Sequence, residues 1–126
     1  MKYLGVDFGL KRVGLATSEG IIASPFKVLE VKSLKDAVLK VEGIIQDGLF
    51  DKVVIGMPEG RIGQSVRSFI NKLKKSGIDI VETDETLSTQ EAQKQMIELN
   101  ISKKKRRIND DMAAAIILQN YLDEKI

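Results

Sequence analysis

Three short apolar runs lie within the first 29 residues, and their spacing limits the possible folds more than any other feature. Residues 3–7 and 12–17 have the composition of strands, and a tight Phe-Gly-Leu-Lys turn separates them. Residues 21–29 form a third run, in which Pro25 favours an edge strand because proline cannot donate a ladder hydrogen bond. No helix fits between these runs, so the pattern predicts a meander of antiparallel hairpins.

From residue 33 onward the pattern changes to alternating helices and strands. The sequence Ser-Leu-Lys-Asp at 33–36 is a capping-box start, and apolar residues at helical spacing follow it up to Ile45. The remaining pattern predicts strands at 52–57 and 78–81, and helices at 66–73, at 88–99 and from residue 109 onward.

The predicted order β-β-β-α-β-α-β-α-α describes an α/β fold with a five-stranded mixed sheet and helices on both faces. No linker or internal repeat interrupts it, so we expect one domain over residues 1–126. The ribonuclease H-like fold has this order of elements. In open sheets with such crossovers, ligand sites lie beyond the carboxyl ends of the parallel strands.

The composition excludes several kinds of chemistry. The chain has no histidine and no cysteine, which excludes the usual zinc sites, a Ser-His-Asp triad and a disulfide scaffold. The lack of cysteine favours the cytoplasm, and no apolar run is long enough to suggest a membrane partner. An enzyme made from these residues would use carboxylates or an oxygen-bound metal ion, for which Mg²⁺ or Mn²⁺ is suitable.

Acidic residues lie where such a metal site is expected. Asp7 ends the first strand, Asp84 and Glu85 follow the fifth strand, and Asp110 opens the last helix on its apolar face. If the first, fourth and fifth strands are parallel neighbours, these acids share one rim of the sheet. Each acid also has a purely structural alternative, as a partner of turn amides, as part of a solvated turn or as a helix cap.

The positive charge is distributed unevenly along the chain, although the net charge is only +2. Five consecutive cations precede the last helix: Lys103, Lys104, Lys105, Arg106 and Arg107. Such a block is often a solvated loop. Its position beside Asp110 also favours a contact with the phosphate backbone of a nucleic acid.

Four segments of the chain resemble the motif blocks of the YqgF family. They are VDFGLKRVGLA (6–16), VVIGMPEGRIG (53–63), TDETLSTQEA (83–92) and NDDMAAAIILQNYL (109–122). Members of that family are ribonuclease H-like and related to RuvC-type Holliday junction resolvases. The resemblance implies a nuclease that processes the 5′ end of pre-16S rRNA in ribosome biogenesis, and a resolvase acting on branched DNA is the alternative.

The resemblance also implies roles for individual residues. Asp7, Glu85 and Asp110 take the positions of the family's acidic catalytic site, where they would bind Mg²⁺ or Mn²⁺. Arg12 matches the basic residue of the first block. Together with the other cations of the motif segments and the basic run, this gives the residues that we expect to hold the nucleic acid: Lys11, Arg12, Arg61 and the run from Lys103 to Arg107.

Three positions, in two segments, differ from the family pattern. Thr86 replaces an arginine that usually follows the acidic pair, and Gly60 and Ile62 replace an asparagine and an aspartate. Arg61 or the basic run would then supply the missing positive charge, or the contacts to substrate would differ.

Two other functions are compatible with the sequence. The DFGLKR segment resembles the phosphate loop of actin-like and sugar-kinase ATPases, although those enzymes enclose ATP between two domains of this kind. A non-catalytic RNA- or ribosome-binding module is the other alternative, and an aromatic content of 5% disfavours recognition by base stacking. The sequence leaves the oligomeric state open.

Overall fold

The computed structural model of the chain describes residues 1–57, 62–84 and 110–124, without the side chains of residues 62, 63 and 84. This part contains five strands and three helices. They are β1 (Tyr3–Phe8), β2 (Arg12–Ser18), β3 (Ser24–Glu30), α1 (Leu34–Gly48), β4 (Lys52–Met57), α2 (Ile62–Lys74), β5 (Ile80–Asp84) and α3 (Asp110–Glu124). The predicted helix at 88–99 lies outside the described residues.

The strands form one sheet in the order β3-β2-β1-β4-β5. The first three strands are antiparallel neighbours, whereas β1 is parallel to β4 and β4 is parallel to β5. The predicted five-stranded mixed sheet is confirmed. The carboxyl ends of β1, β4 and β5 consequently meet along one rim.

Apolar side chains are buried on both faces of the sheet. On one face α1 and α2 cover residues of β1, β2 and β4, with Phe69 and Ile70 fully buried among them. On the other face α3 is the helix that packs against the sheet in the described part of the chain, and all six residues of its segment 113–118 are buried. The predicted burial of this segment is confirmed. None of the described helices has both the length and the apolar surface needed to cross a bilayer.

The start of α1 has the predicted cap. The Ser33 hydroxyl accepts a hydrogen bond from the Asp36 backbone N–H, and the Asp36 carboxylate accepts one from the Lys32 N–H. The Lys32 hydrogen bond, assisted by Lys40, lowers the pKa of Asp36. The Ser33 contact satisfies an N–H group that the first turn of a helix leaves unpaired, and the Asp36 contact binds the residue that precedes the cap.

The edge strand β3 begins later than predicted. Residues 21–23 belong to the apolar run, but β3 begins at Ser24. The Gln119 side chain accepts a hydrogen bond from the Ala23 N–H at 2.8 Å and donates one to the Ile21 carbonyl at 3.0 Å. The backbone groups of this segment therefore bond to α3.

The fifth strand is also displaced from its predicted position. It covers Ile80–Asp84, because Gly77 turns the chain at φ 80 and pairing with β4 starts only at Val53 and Ile80. The ladder continues to Met57 and Asp84. Asp84 is therefore the last residue of the strand and does not follow it.

Two glycines allow α3 to lie directly on the sheet. A Cβ atom at Gly14 would lie 2.0 Å from the Asp110 carbonyl oxygen, and one at Gly5 would lie 2.8 Å from the Ala114 carbonyl oxygen. Any larger residue at these positions would push the helix away. The first turn of α3 therefore sits against β2, and its next turn sits against β1.

Gly14→Ala should destabilise the protein by about 2 kcal/mol or more, because the new methyl group overpacks the contact between β2 and α3. Gly43→Ala is the matched control, since a Cβ there meets nothing within 4 Å and Gly43 lies inside α1. We expect the control to stabilise by about 0.5–1 kcal/mol. Urea unfolding measures the change in the free energy of unfolding for each variant. Equal changes for the two substitutions would contradict the close contact.

Candidate active site

Asp7 and Asp110 lie at the same end of the sheet on the face that α3 covers. Side chains alternate along β1, so Asp7 shares this face with Tyr3, which is buried against α3. Asp7 is paired in register with Gly14, and Gly14 is in close contact with the Asp110 backbone. The fold thereby brings together two acids that are 103 positions apart in the sequence.

The carboxylate of Asp110 is poorly satisfied in this position. Its Oδ2 atom is buried and accepts no hydrogen bond from the described residues. Arg12 Nε lies 3.5 Å from this oxygen, too far for a well-formed hydrogen bond but close enough for an ion pair. Burial raises the pKa of Asp110, the charge of Arg12 opposes this rise, and the neighbouring charge of Asp111 adds to it.

A second buried oxygen without a hydrogen-bond partner lies on the row of the sheet that contains Asp7. Thr83 Oγ1 and Asp110 Oδ2 are the two buried side-chain polar atoms without a hydrogen-bond partner in the described part of the chain. Thr83 is paired with Gly56, which lies one residue beyond the Val6–Ile55 pair of β1 and β4. Asp7 lies between Gly14 and Gly56 on this row, so Thr83 is two strands away from Asp7.

These donors suit a hard divalent cation. Buried polar atoms without partners call for an explanation, and the binding of an ion is one. Carboxylate and hydroxyl oxygens are the ligands that Mg²⁺ and Mn²⁺ prefer. Within 1–57, 62–84 and 110–124 no three acidic side chains form a metal-binding group. The third predicted ligand, Glu85, lies outside these ranges.

The basic residues are described only in part. Arg12 begins β2, and its side chain is 47% exposed and paired with Asp110. Lys11 is exposed in the preceding turn, where its carbonyl oxygen accepts a hydrogen bond from the Val31 N–H. Arg61 and the run 103–107 lie outside the described residues. Their predicted contacts with nucleic acid stay predictions.

Sequence reasoning missed two residues of this region. Gly14 had a recognisable signal, because an isolated glycine in a strand often marks the close approach of another backbone. Thr83 had none, since a hydroxyl beside an acidic pair is common in turns. Asp111, which the helical spacing turns away from the sheet, accepts a hydrogen bond from the Met112 N–H at 3.0 Å.

The stability of the metal-free protein should depend on the charge of Asp110. Burial raises the pKa of Asp110 above 3.8, so folding favours the neutral carboxyl group. The stability that this neutral form contributes is complete below pH 3.8 and is lost as the pH rises through the raised pKa. Asp110→Asn should therefore unfold at a higher temperature than the wild type at pH 7 in EDTA. The difference should shrink toward pH 3.8. A lower midpoint for the variant at pH 7 would mean that pairing with Arg12 outweighs burial.

The fold resembles solved Holliday junction resolvases. The fowlpox virus Holliday junction resolvase matches with a TM-score of 0.64 at 13% identity, over 100% of both chains. The structure of Thermus thermophilus RuvC in complex with a Holliday junction substrate matches with a TM-score of 0.61 at 14% identity, over 98% of this chain and 96% of that one. At such low identity these similarities show the fold, which is the predicted ribonuclease H-like one.

Sequence comparison identifies the family. A protein of Endomicrobium trichonymphae named "Putative pre-16S rRNA nuclease" is 40% identical over 97% of this chain and 95% of its own. A Fusobacterium nucleatum protein of the same name is 39% identical over 98% of both chains. The family model RuvX, described as Holliday junction resolvase, matches residues 1–124. The chain therefore belongs to the RuvX family, the YqgF family that its four motif blocks indicated.

Proposed function

We propose that this protein is a metal-dependent nuclease that hydrolyses phosphodiester bonds and processes the 5′ end of pre-16S rRNA. The observation that carries the proposal is that the fold places Asp7 beside Asp110, whose buried Oδ2 atom accepts no hydrogen bond from the described residues. The substrate is proposed from the two relatives, which share 39–40% of their residues with this chain and are named for that activity.

Asp7, Glu85 and Asp110 would hold Mg²⁺ or Mn²⁺. Such ions, when bound, activate a water molecule and stabilise the leaving oxygen of a phosphodiester. The chain itself supplies the oxygen ligands and a rigid frame, because Asp7 is held in a strand and Asp110 in a helix packed directly on that sheet. It has no histidine to act as a general base, which is consistent with a reaction that depends on metal ions.

Basic side chains near the rim would hold the phosphate backbone. Lys11 is exposed and makes no ion pair with the described residues, so its charge is available to a ligand. We propose that Lys11, Arg12, Arg61 and the run 103–107 contact the nucleic acid. The cytoplasmic location and the single domain over residues 1–126 stay predictions.

A Holliday junction resolvase is the second candidate. It is favoured by the description of the matching family model and by the complex of T. thermophilus RuvC with its junction substrate. Resolution of a four-way junction requires two coordinated cuts, so this function would need two active sites. If the protein were a non-catalytic RNA-binding module, the proximity of Asp7 to Asp110 and its unsatisfied Oδ2 atom would have no functional explanation.

Asp7→Asn should abolish Mg²⁺-dependent cleavage while leaving folding and nucleic-acid binding intact, because it removes a metal ligand and hardly changes the shape of the side chain. Asp79→Asn is the matched control. Asp79 precedes β5 at the end of the sheet away from the rim, where it is 62% exposed and pairs with Lys52. Cleavage of a precursor RNA that contains the 5′ segment of 16S rRNA should be compared with cleavage of a four-way DNA junction.

The two substrates distinguish the candidate functions. RNA cleavage lost only in the Asp7 variant would support the precursor nuclease, and junction cleavage with the same dependence would support the resolvase. Full activity of Asp7→Asn would refute a role for this carboxylate. Binding without metal-dependent turnover in the wild type would favour the non-catalytic module.

Replacing the five cations at 103–107 with serine should weaken binding of nucleic acid without removing the acidic site. Each lost phosphate contact should reduce the slope of log affinity against log salt by about 0.9 for duplex DNA or about 0.7 for a single strand. Fluorescence anisotropy at several salt concentrations measures this slope. An unchanged slope would show that the run is only a solvated segment.

A further inference from the structure

The ion pair between Arg12 and Asp110 joins a proposed metal ligand to a cation of the protein itself. Arg12 Nε lies 3.5 Å from Asp110 Oδ2, the buried oxygen that accepts no hydrogen bond from the described residues. A metal ligand and a guanidinium therefore share one carboxylate. This arrangement raises the question of whether Arg12 supports the metal ion or competes with it.

The backbone directs Arg12 to this position. A Cβ atom at Gly9 would lie 2.5 Å from the Arg12 carbonyl oxygen, so glycine permits the tight turn from β1 into β2. Side chains alternate along β2, and Arg12 therefore shares the α3 face with Gly14, against which Asp110 is packed. The cation is thus held beside the carboxylate by strand register.

The contact is also easy to break. The Arg12 side chain is 47% exposed, and an ion pair at 3.5 Å without a well-formed hydrogen bond contributes little to stability. A divalent ion on Asp110 would carry twice the charge of the guanidinium and would repel it at this distance. The long arginine side chain can then turn into solvent without moving the backbone.

We propose that Arg12 is the counter-cation of the metal-free site and competes with the divalent ion for Asp110. The inference rests on the proposed role of Asp110 as a metal ligand. When the ion binds, the guanidinium leaves the carboxylate and becomes available at the rim for a phosphate of the nucleic acid. Arg12 thereby balances the charge of Asp110 before metal binding and contacts a phosphate after it.

The first test is the affinity for Mn²⁺, measured by isothermal titration calorimetry in the absence of nucleic acid. Arg12→Gln should bind Mn²⁺ about threefold to tenfold more tightly than the wild type, because a competing half-exposed charge is removed. The affinity of Arg12→Lys for Mn²⁺ should be closer to that of the wild type than to that of Arg12→Gln, since lysine keeps the positive charge. Unchanged or weaker binding in Arg12→Gln would overturn the proposal, and so would equal affinities of the two variants.

Arg67→Gln is the matched control. Arg67 pairs with Glu82, and the side chains of this pair are 49% and 31% exposed, against 47% and 32% for Arg12 and Asp110. Arg67 lies on α2, which covers the opposite face of the sheet from α3. Its substitution should leave the affinity for Mn²⁺ unchanged within about twofold, since a charge on the far side of the sheet is well screened. A gain equal to that of Arg12→Gln would show a general effect of net charge and would overturn the proposal.

The second test separates the two states of Arg12. Calcium replaces the catalytic ion so that the nucleic acid stays intact, and cleavage is checked on a gel. Arg12→Gln should weaken binding of the precursor RNA about threefold or more in Ca²⁺, but less than about twofold in EDTA, where the guanidinium still pairs with Asp110. An equal loss in both conditions would overturn the proposal, because Arg12 would then contact phosphate independently of the metal.

Failure of this inference can be distinguished from failure of the proposed function. If the wild type binds Mn²⁺ and Asp110→Asn does not, Asp110 is a ligand and the comparison of the Arg12 variants stands alone. If neither Asp7→Asn nor Asp110→Asn changes the affinity for Mn²⁺, the proposed metal site itself is wrong. The competition proposed for Arg12 is then overturned with it.

Discussion

The direct contact between α3 and the first two strands is the constraint on which the rest of the structure depends. Gly5 and Gly14 leave room for the backbone of the helix, so α3 lies closer to the sheet than side chains would allow. The position of Asp110 follows from this contact, since it belongs to the first turn of the helix. A larger residue at Gly14 would displace the turn and separate Asp110 from Asp7.

This close packing also creates the electrostatic character of the site. The same burial that positions Asp110 removes water from one of its oxygens and raises the pKa of its carboxyl group. Among the described residues, the half-exposed guanidinium of Arg12 at 3.5 Å is the cation paired with Asp110, and it compensates the buried charge incompletely. An incompletely compensated carboxylate has a high affinity for cations. The divalent-ion site that we propose therefore depends on the way in which the last helix is packed.

Much of the fold was predictable because it depends on local periodicity. The alternation of the first three runs, the helical spacing after Ser33 and the buried segment 113–118 each reflect a pattern that neighbouring residues carry by themselves. The starts of β3 and β5 were predicted wrongly for a common reason. Both depend on distant partners, Gln119 for the segment before β3 and the register with β4 for β5.

The sequence by itself determined the order of the described elements, the absence of histidine and cysteine chemistry, and the set of acids that could form a site. The tertiary structure decided which of these residues are neighbours. It placed Asp110 against Gly14, put Thr83 on the same row as Asp7, and gave Arg12 a carboxylate as its partner. The physical reason is that periodicity reports which face of an element is buried, but not which distant element covers that face.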